Sequence, residues 1–257
     1  MRNCIRADIR RVQSKRAYFI CILLMALLII FAGFLEKNYP IGIPGPNDSS
    51  GTFGVYSTII FLFFPFLVGI PIYSAIFSDD FRSRSMQIAI GFGLTRKKLI
   101  LSRFQECLIL LIETGCIFSL VLLGSNFCFG LETKALSGVL VNEIWVRDLK
   151  ILAFLSISMI LVYGTQKSGS GLVLFILLLT GIIEDILSIA DMIPFMARNH
   201  ISIGKYLPSN VVSSMSKSFE SGDLTEGILY AAGFAAGYIL LPILLSICVF
   251  RKKELDF

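Results

Sequence analysis

Six long apolar runs, separated by polar or charged stretches, dominate the chain. They cover about residues 17–35, 55–77, 106–129, 149–166, 171–190 and 228–250. At ~1.5 Å of rise per residue, each is long enough to cross the ~30 Å hydrocarbon layer of a bilayer as a helix. The runs are continuous, whereas the strands of a transmembrane barrel alternate over ~10 residues. The second run carries Pro65 and Pro71, and the fourth is the shortest and weakest. The pattern predicts an all-α integral membrane protein: a six-transmembrane-helix bundle forming a single domain over residues 1–257, with no soluble domain.

The stretches between the runs differ in character. Ahead of the first, Ile5, Ile9 and Val12 recur at i, i+4 and i+7, with Arg2, Arg6, Arg10 and Arg16 on other faces. That spacing predicts an amphipathic helix lying in the membrane interface, where each basic residue near anionic lipid contributes ~1 kcal/mol. Its alternative is a plain topology anchor. The run at 17–35 is too long for a signal-peptide core and no cleavage site follows, so it is expected to stay as the first span. Residues 39–54, YPIGIPGPNDSSGTFG, read as an irregular loop. Residues 191–227 form the longest connection on the opposite side. Within it Ser209 or Asn210 can cap a short helix whose Val211, Val212, Met215 and Phe219 share a face.

Composition strengthens the membrane reading. The chain is 55% hydrophobic and 16% charged, with 22 Phe against 18 acidic residues and a mean hydropathy of +0.79. A soluble enzyme or a disordered chain is excluded on this balance. The net charge of +5 is distributed unevenly. Sixteen basic residues fall in the N-terminal tail, the second-to-third connection, the turn at Lys167 and the C-terminal tail, against seven on the other side. The positive-inside rule then places both termini in the cytoplasm. Basic residues sit beside apolar runs, so anionic lipid rather than nucleic acid is the expected partner.

Motifs for chemistry are sparse. There is one histidine, His200, and no HExxH, GxSxG or CxxC. The cysteines 4, 21, 107, 116, 128 and 248 lack metal or disulfide spacing and read as small hydrophobes. GTQKSGSG at 164–171 lacks the P-loop lysine, and GFGLTR at 91–96 has Arg96 where a third glycine belongs. No cofactor is expected on this chain.

The most informative stretch is SDDFRSRSMQIAIGFGLTRKKLILSRF, residues 78–104. Asp79, Asp80 and Arg82 leave the second span. Met86, Ile88 and Ile90 make a short apolar run, Gly91 and Gly93 interrupt it, and Thr95 can cap a new helix opening with Arg96, Lys97 and Lys98. Leu99, Ile100 and Phe104 should face one way, and Lys97, Lys98 and Arg103 another. This predicts a helix–turn–helix elbow at the membrane surface, either a docking surface for a cytoplasmic partner or a basic turn that only fixes topology. Glu113, Glu184 and Asp185 lie in or near spans, where a carboxylate is a candidate for substrate passage or gating. Glu113 is placed the deeper. Gly233 and Gly237 form a GxxxG in the last span, suited to close helix packing within the chain or to a dimer face.

The layout resembles the permease subunits of type-2 ABC (ATP-binding cassette) transporters, mostly bacterial exporters. The resemblance runs the whole length: a basic amphipathic start, the acidic-then-basic elbow, KYLPSNVV before the last span, and the ending VFRKKELDF. It implies that the elbow from Asp79 to Lys98 holds a coupling helix resting on a separate cytoplasmic ATPase, with ATP bound by that partner. It also implies a second permease subunit, alike or related, a location in the bacterial cytoplasmic membrane, and an outer helix near 208–219 that dips into the leaflet, for which the residues leave a lid over the bundle equally open. The residues leave two other classes open, an ion-coupled secondary transporter using Glu113, Glu184 or Asp185, and a non-transporting immunity or anchor protein.

Overall fold

A computed structural model describes residues 2–38, 54–78, 91, 93, 95–130, 136–190, 204–220 and 224–252. Among these residues there is no strand, and nearly all are helical. The elements in chain order are α1 Arg2–Gln13, α2 Arg16–Asn38, α3 over residues 54–78, α4 Arg96–Phe129, α5 Leu136–Thr165, α6 Ser168–Leu179, α7 Ile182–Ala190, a 3₁₀ turn Gly204–Tyr206, α8 Pro208–Glu220 and α9 over residues 224–252. Among the described residues, four helices are long and apolar enough to cross a membrane: Arg16–Asn38, Thr58–Ser78, Arg96–Phe129 and Thr225–Arg251. A fifth crossing is made if the bent pair Ser168–Leu179 and Ile182–Ile189 acts as one span. The chain is thus compatible with a multi-pass membrane protein.

The apolar runs set these helices, and local chemistry sets their breaks. In α3 the turns Pro65–Gly69 and Ser74–Ser78 widen to π-helical geometry. Pro65 and Pro71 have no N–H to give and their rings crowd the preceding turn, so the hydrogen-bond ladder resets beside them. The run expected as one span over 171–190 is instead two helices meeting at 63°. Backbone bonds from Thr180 to Ile176 and from Gly181 to Leu178 close α6, and one from Asp185 to Gly181 opens α7. Gly181 has φ +77°, a conformation that side-chain-bearing residues avoid. The fourth expected span lies inside a longer helix. α5 begins thirteen residues before position 149 because Glu143 and Arg147 pair at i, i+4 (4.0 Å) and carry the helix through its charged stretch. This helix is largely shielded, with residues 151–156 all buried.

The chain divides into two compact units, Met1–Ile76 with Gln105–Leu149, and Phe77–Phe104 with Lys150–Phe257. In the first, Met25, Ile29 and Ala32 of α2 are buried, as are Tyr56, Ile60, Phe64, Val68 and Ile72 of α3 at four-residue steps. α2 packs on α3. The Phe64 and Phe118 rings meet edge to face at 5.5 Å, and the Tyr56 and Ser125 hydroxyls bond at 3.1 Å. The outer face of α2 stays apolar, with Phe19, Ile20, Leu23, Leu27 and Phe31 exposed, as a lipid-facing helix requires. In the second unit α8 packs along the first part of α9, with Gly227 against the Phe219 ring, and Tyr163 stacks on the buried Phe250 at 5.1 Å.

Candidate functional site

The elbow is the first candidate. Asp79, Asp80, Arg82, Met86, Ile88 and Ile90 lie outside the described residues. Its second half is described from Gly91, and Gly93 has φ +86°, which stops any helix arriving from the N-terminal side. Thr95 then caps α4: its Oγ1 accepts the Lys98 amide at 3.4 Å, and its carbonyl accepts from the Leu99 amide at 3.0 Å. Lys97 and Lys98 are exposed, while Leu99 and Ile100 on the other face are buried. Arg103, expected on the basic face, is buried instead, on a helix side it shares with buried Ser102 and Glu106.

Arg96 does something the sequence pattern does not express. Its guanidinium donates to the carbonyl of Phe250 at 2.8 Å and reaches that of Arg251 at 3.4 Å. It also lies 5.3 Å from the Phe250 ring. The end of α9 has orphan carbonyls, and a cation there satisfies them and opposes the helix dipole. The start of α4 is thereby fastened to the end of the last helix.

The acidic candidates separate. Glu113 accepts two 2.9 Å bonds from Gln13 Nε2 at the end of α1, and Lys15 Nζ donates to the Ala75 carbonyl at 3.1 Å. Glu113 therefore sits at the junction of α1 with the ends of α2 and α3, half-exposed, rather than in the middle of the bundle. Glu184, in the first turn of α7, is buried with Lys150 Nζ 3.9 Å from its Oε1. Lys150 also bonds Ser209 at the start of α8 and lies 5.3 Å from the Phe154 ring. Its neighbour Asp185 is exposed. Adjacent in sequence, the two acids have unlike surroundings.

Sequence reasoning passed over Asp148. It is 5% exposed, and neither carboxylate oxygen has a hydrogen-bond partner. It lies over Gly115, whose added Cβ would stand 2.5 Å from Oδ2. The Tyr18 hydroxyl, also buried and unbonded, lies within electrostatic range of both Glu113 and Asp148. The available signal was an acid one residue before an apolar run, in WVRDLKI, but nothing local says which way it faces.

Gly233 and Gly237 are exposed, with no atom within 4 Å of an added Cβ on either, so among the described residues nothing packs onto this GxxxG face. Among the described residues no group of three or more His, Cys, Asp or Glu is placed to hold a metal ion. Comparison of the chain with protein-family models, with curated proteins and with solved structures finds no match.

Proposed function

We propose that the chain is the membrane permease subunit of an ABC exporter, with six spans and both termini in the bacterial cytoplasm, moving substrate at the expense of ATP hydrolysed by a separate subunit. On this reading it pairs with a second permease, identical or related, and is not itself an enzyme. The observation that carries it is the elbow. An acidic-then-basic connection with an apolar centre ends in a capped helix whose Lys97 and Lys98 are exposed and whose Arg96 holds the end of the last helix. A turn that only fixes topology needs the charges but not the apolar run or the clamp. The ATPase, docking on the elbow, would have a direct lever on both α4 and α9, and its closure would switch the path between two arrangements. The resemblance assigns the basic α1 helix to the same partner; within its own unit that helix is joined to Glu113 through Gln13.

The test is purification of the tagged chain from its native membranes in mild detergent. A stoichiometric nucleotide-binding chain should accompany it, and the isolated permease should hydrolyse no ATP. Robust hydrolysis by the pure chain would overturn the reading.

One observation favours the ion-coupled secondary transporter as the second reading. Asp148 is a buried carboxylate without a hydrogen-bond partner, in electrostatic range of Tyr18, and intramembrane acids of this kind mark ion pathways. Proton- or sodium-driven flux in the absence of ATP, abolished by Asp148→Asn, would select it.

A further inference from the structure

A cavity of about 1050 Å³ lies in the second unit between α8 and the first half of α9. Its walls have two chemistries. Tyr230, Phe234 and Tyr238 of α9 and Tyr206 of the 3₁₀ turn make one side aromatic. Lys205, Asn210, Ser213 and Ser214 make the other polar. The Phe234 and Tyr238 rings are 5.1 Å apart, and the Tyr238 hydroxyl donates to the Tyr206 carbonyl, which ties α9 to the 3₁₀ turn. Gly233 and Gly237 form a floor without side chains, open to a close approach. The α9 stretch lining the groove belongs to a helix apolar enough to cross a membrane, and its lining residues Leu229 and Tyr230 are exposed.

We propose that this groove binds one anionic phospholipid, with an acyl chain laid over Gly233 and Gly237 between the aromatic rings and the phosphate held by Lys205 with the second N–H of the Asn210 amide and the Ser214 hydroxyl. Lys205 is the one charged residue lining the cavity, it is exposed, and among the described residues no carboxylate pairs with it. A solitary cation at the end of an aromatic, glycine-floored trough complements an amphiphile with a single acidic head. The amide of Asn210 donates to the Gly204 carbonyl and the Ser213 hydroxyl to the Asn210 carbonyl, which fixes the polar wall. Tyrosine suits the position, having an apolar body and a polar tip. This inference requires the chain to sit in a bilayer and is independent of the energy source proposed above.

The experiment places a tryptophan in the groove and asks which lipid touches it. The chain has one tryptophan, Trp145, so Trp145→Phe with Tyr230→Trp gives a single reporter; Leu229→Trp, at a 75% exposed lining position, is the second reporter. Each is reconstituted in phosphatidylcholine bilayers containing brominated phosphatidylglycerol or brominated phosphatidylcholine. Brominated phosphatidylglycerol should quench at about five-fold lower mole fraction, the preference expected of one lysine near a membrane surface. Lys205→Gln should erase that preference, while Lys217→Gln, exposed on α8 but outside the cavity, should keep it. Equal quenching by both lipids, or equal loss with Lys217→Gln, would mean ordinary surrounding lipid and would overturn the proposal. No quenching by either lipid would mean that protein, such as a second copy of the chain, fills the groove, and would overturn it equally.

Discussion

Two side chains show how far a residue's type is from its role. Arg96 belongs to a basic cluster, yet its guanidinium is spent on the carbonyls of Phe250 and Arg251, while Lys97 and Lys98 beside it are exposed. Charged hydrogen bonds of this kind contribute about 1.5–3 kcal/mol, whereas exposed charges change stability within about 0.5 kcal/mol. Arg96→Gln should therefore lower the melting temperature of the detergent-solubilised chain, and Lys97→Gln or Lys98→Gln should leave it unchanged; equal effects from all three would remove the clamp from the account. Asp148 poses the reverse case, a buried carboxylate with no hydrogen bond. A buried polar group left unsatisfied costs about 1–3 kcal/mol, more for a charged one, so Asp148→Asn should raise thermal stability. A fall in stability would show that the carboxylate holds a partner such as a bound cation. Neither role was legible in the sequence, because Arg96 and Phe250 are 154 positions apart, and Asp148 lies over Gly115 of a different helix. Local pattern gives a residue's chemistry but not its long-range neighbour.

The helices themselves were more legible, because burial in hydrocarbon demands long apolar runs and little else does. The expected spans at 17–35, 55–77 and 228–250 fall within α2, α3 and α9 to a few residues. The misses come where polar residues continue a helix or a glycine breaks one. α4 starts ten residues before position 106, since Thr95 caps it and its basic first turns are helical although not apolar. α5 reaches back through Glu143 and Arg147 for the same reason. The bend at Thr180–Gly181 lies inside an apolar run, where hydropathy is blind to backbone conformation. Gly181→Ala tests that bend. An added Cβ would meet nothing within 4 Å, so the penalty is purely conformational, about 1–2 kcal/mol from φ +77°. A melting temperature unchanged by Gly181→Ala would mean that α6 and α7 straighten into one span.

For the whole molecule, membrane character follows from composition and hydropathy alone, but topology and energy source rest on charge placement and on the elbow. Sixteen basic residues against seven predict cytoplasmic termini and an outer 191–227 segment. In a cysteine-free background, cysteines at Ser49 and at the exposed Lys217 should react with an impermeant thiol reagent from outside, and one at Ser83 should not. Protection at Lys217 alone would mean that α5, or the bent pair α6–α7, does not cross.

The permease assignment itself meets its most direct test at the elbow's apolar centre. An unpaired charge placed in a packed contact costs about 2–4 kcal/mol or more, so Ile88→Asp should release the ATPase while the untouched basic residues keep the chain's insertion and topology. The measurement is vanadate-sensitive ATP hydrolysis by the complex purified through the tagged permease, parent against Ile88→Asp. The account predicts a stoichiometric ATPase and hydrolysis with the parent, and loss of both with Ile88→Asp at equal membrane insertion. An Ile88→Asp chain that inserts normally, retains its ATPase and hydrolyses at the parent's rate would contradict it.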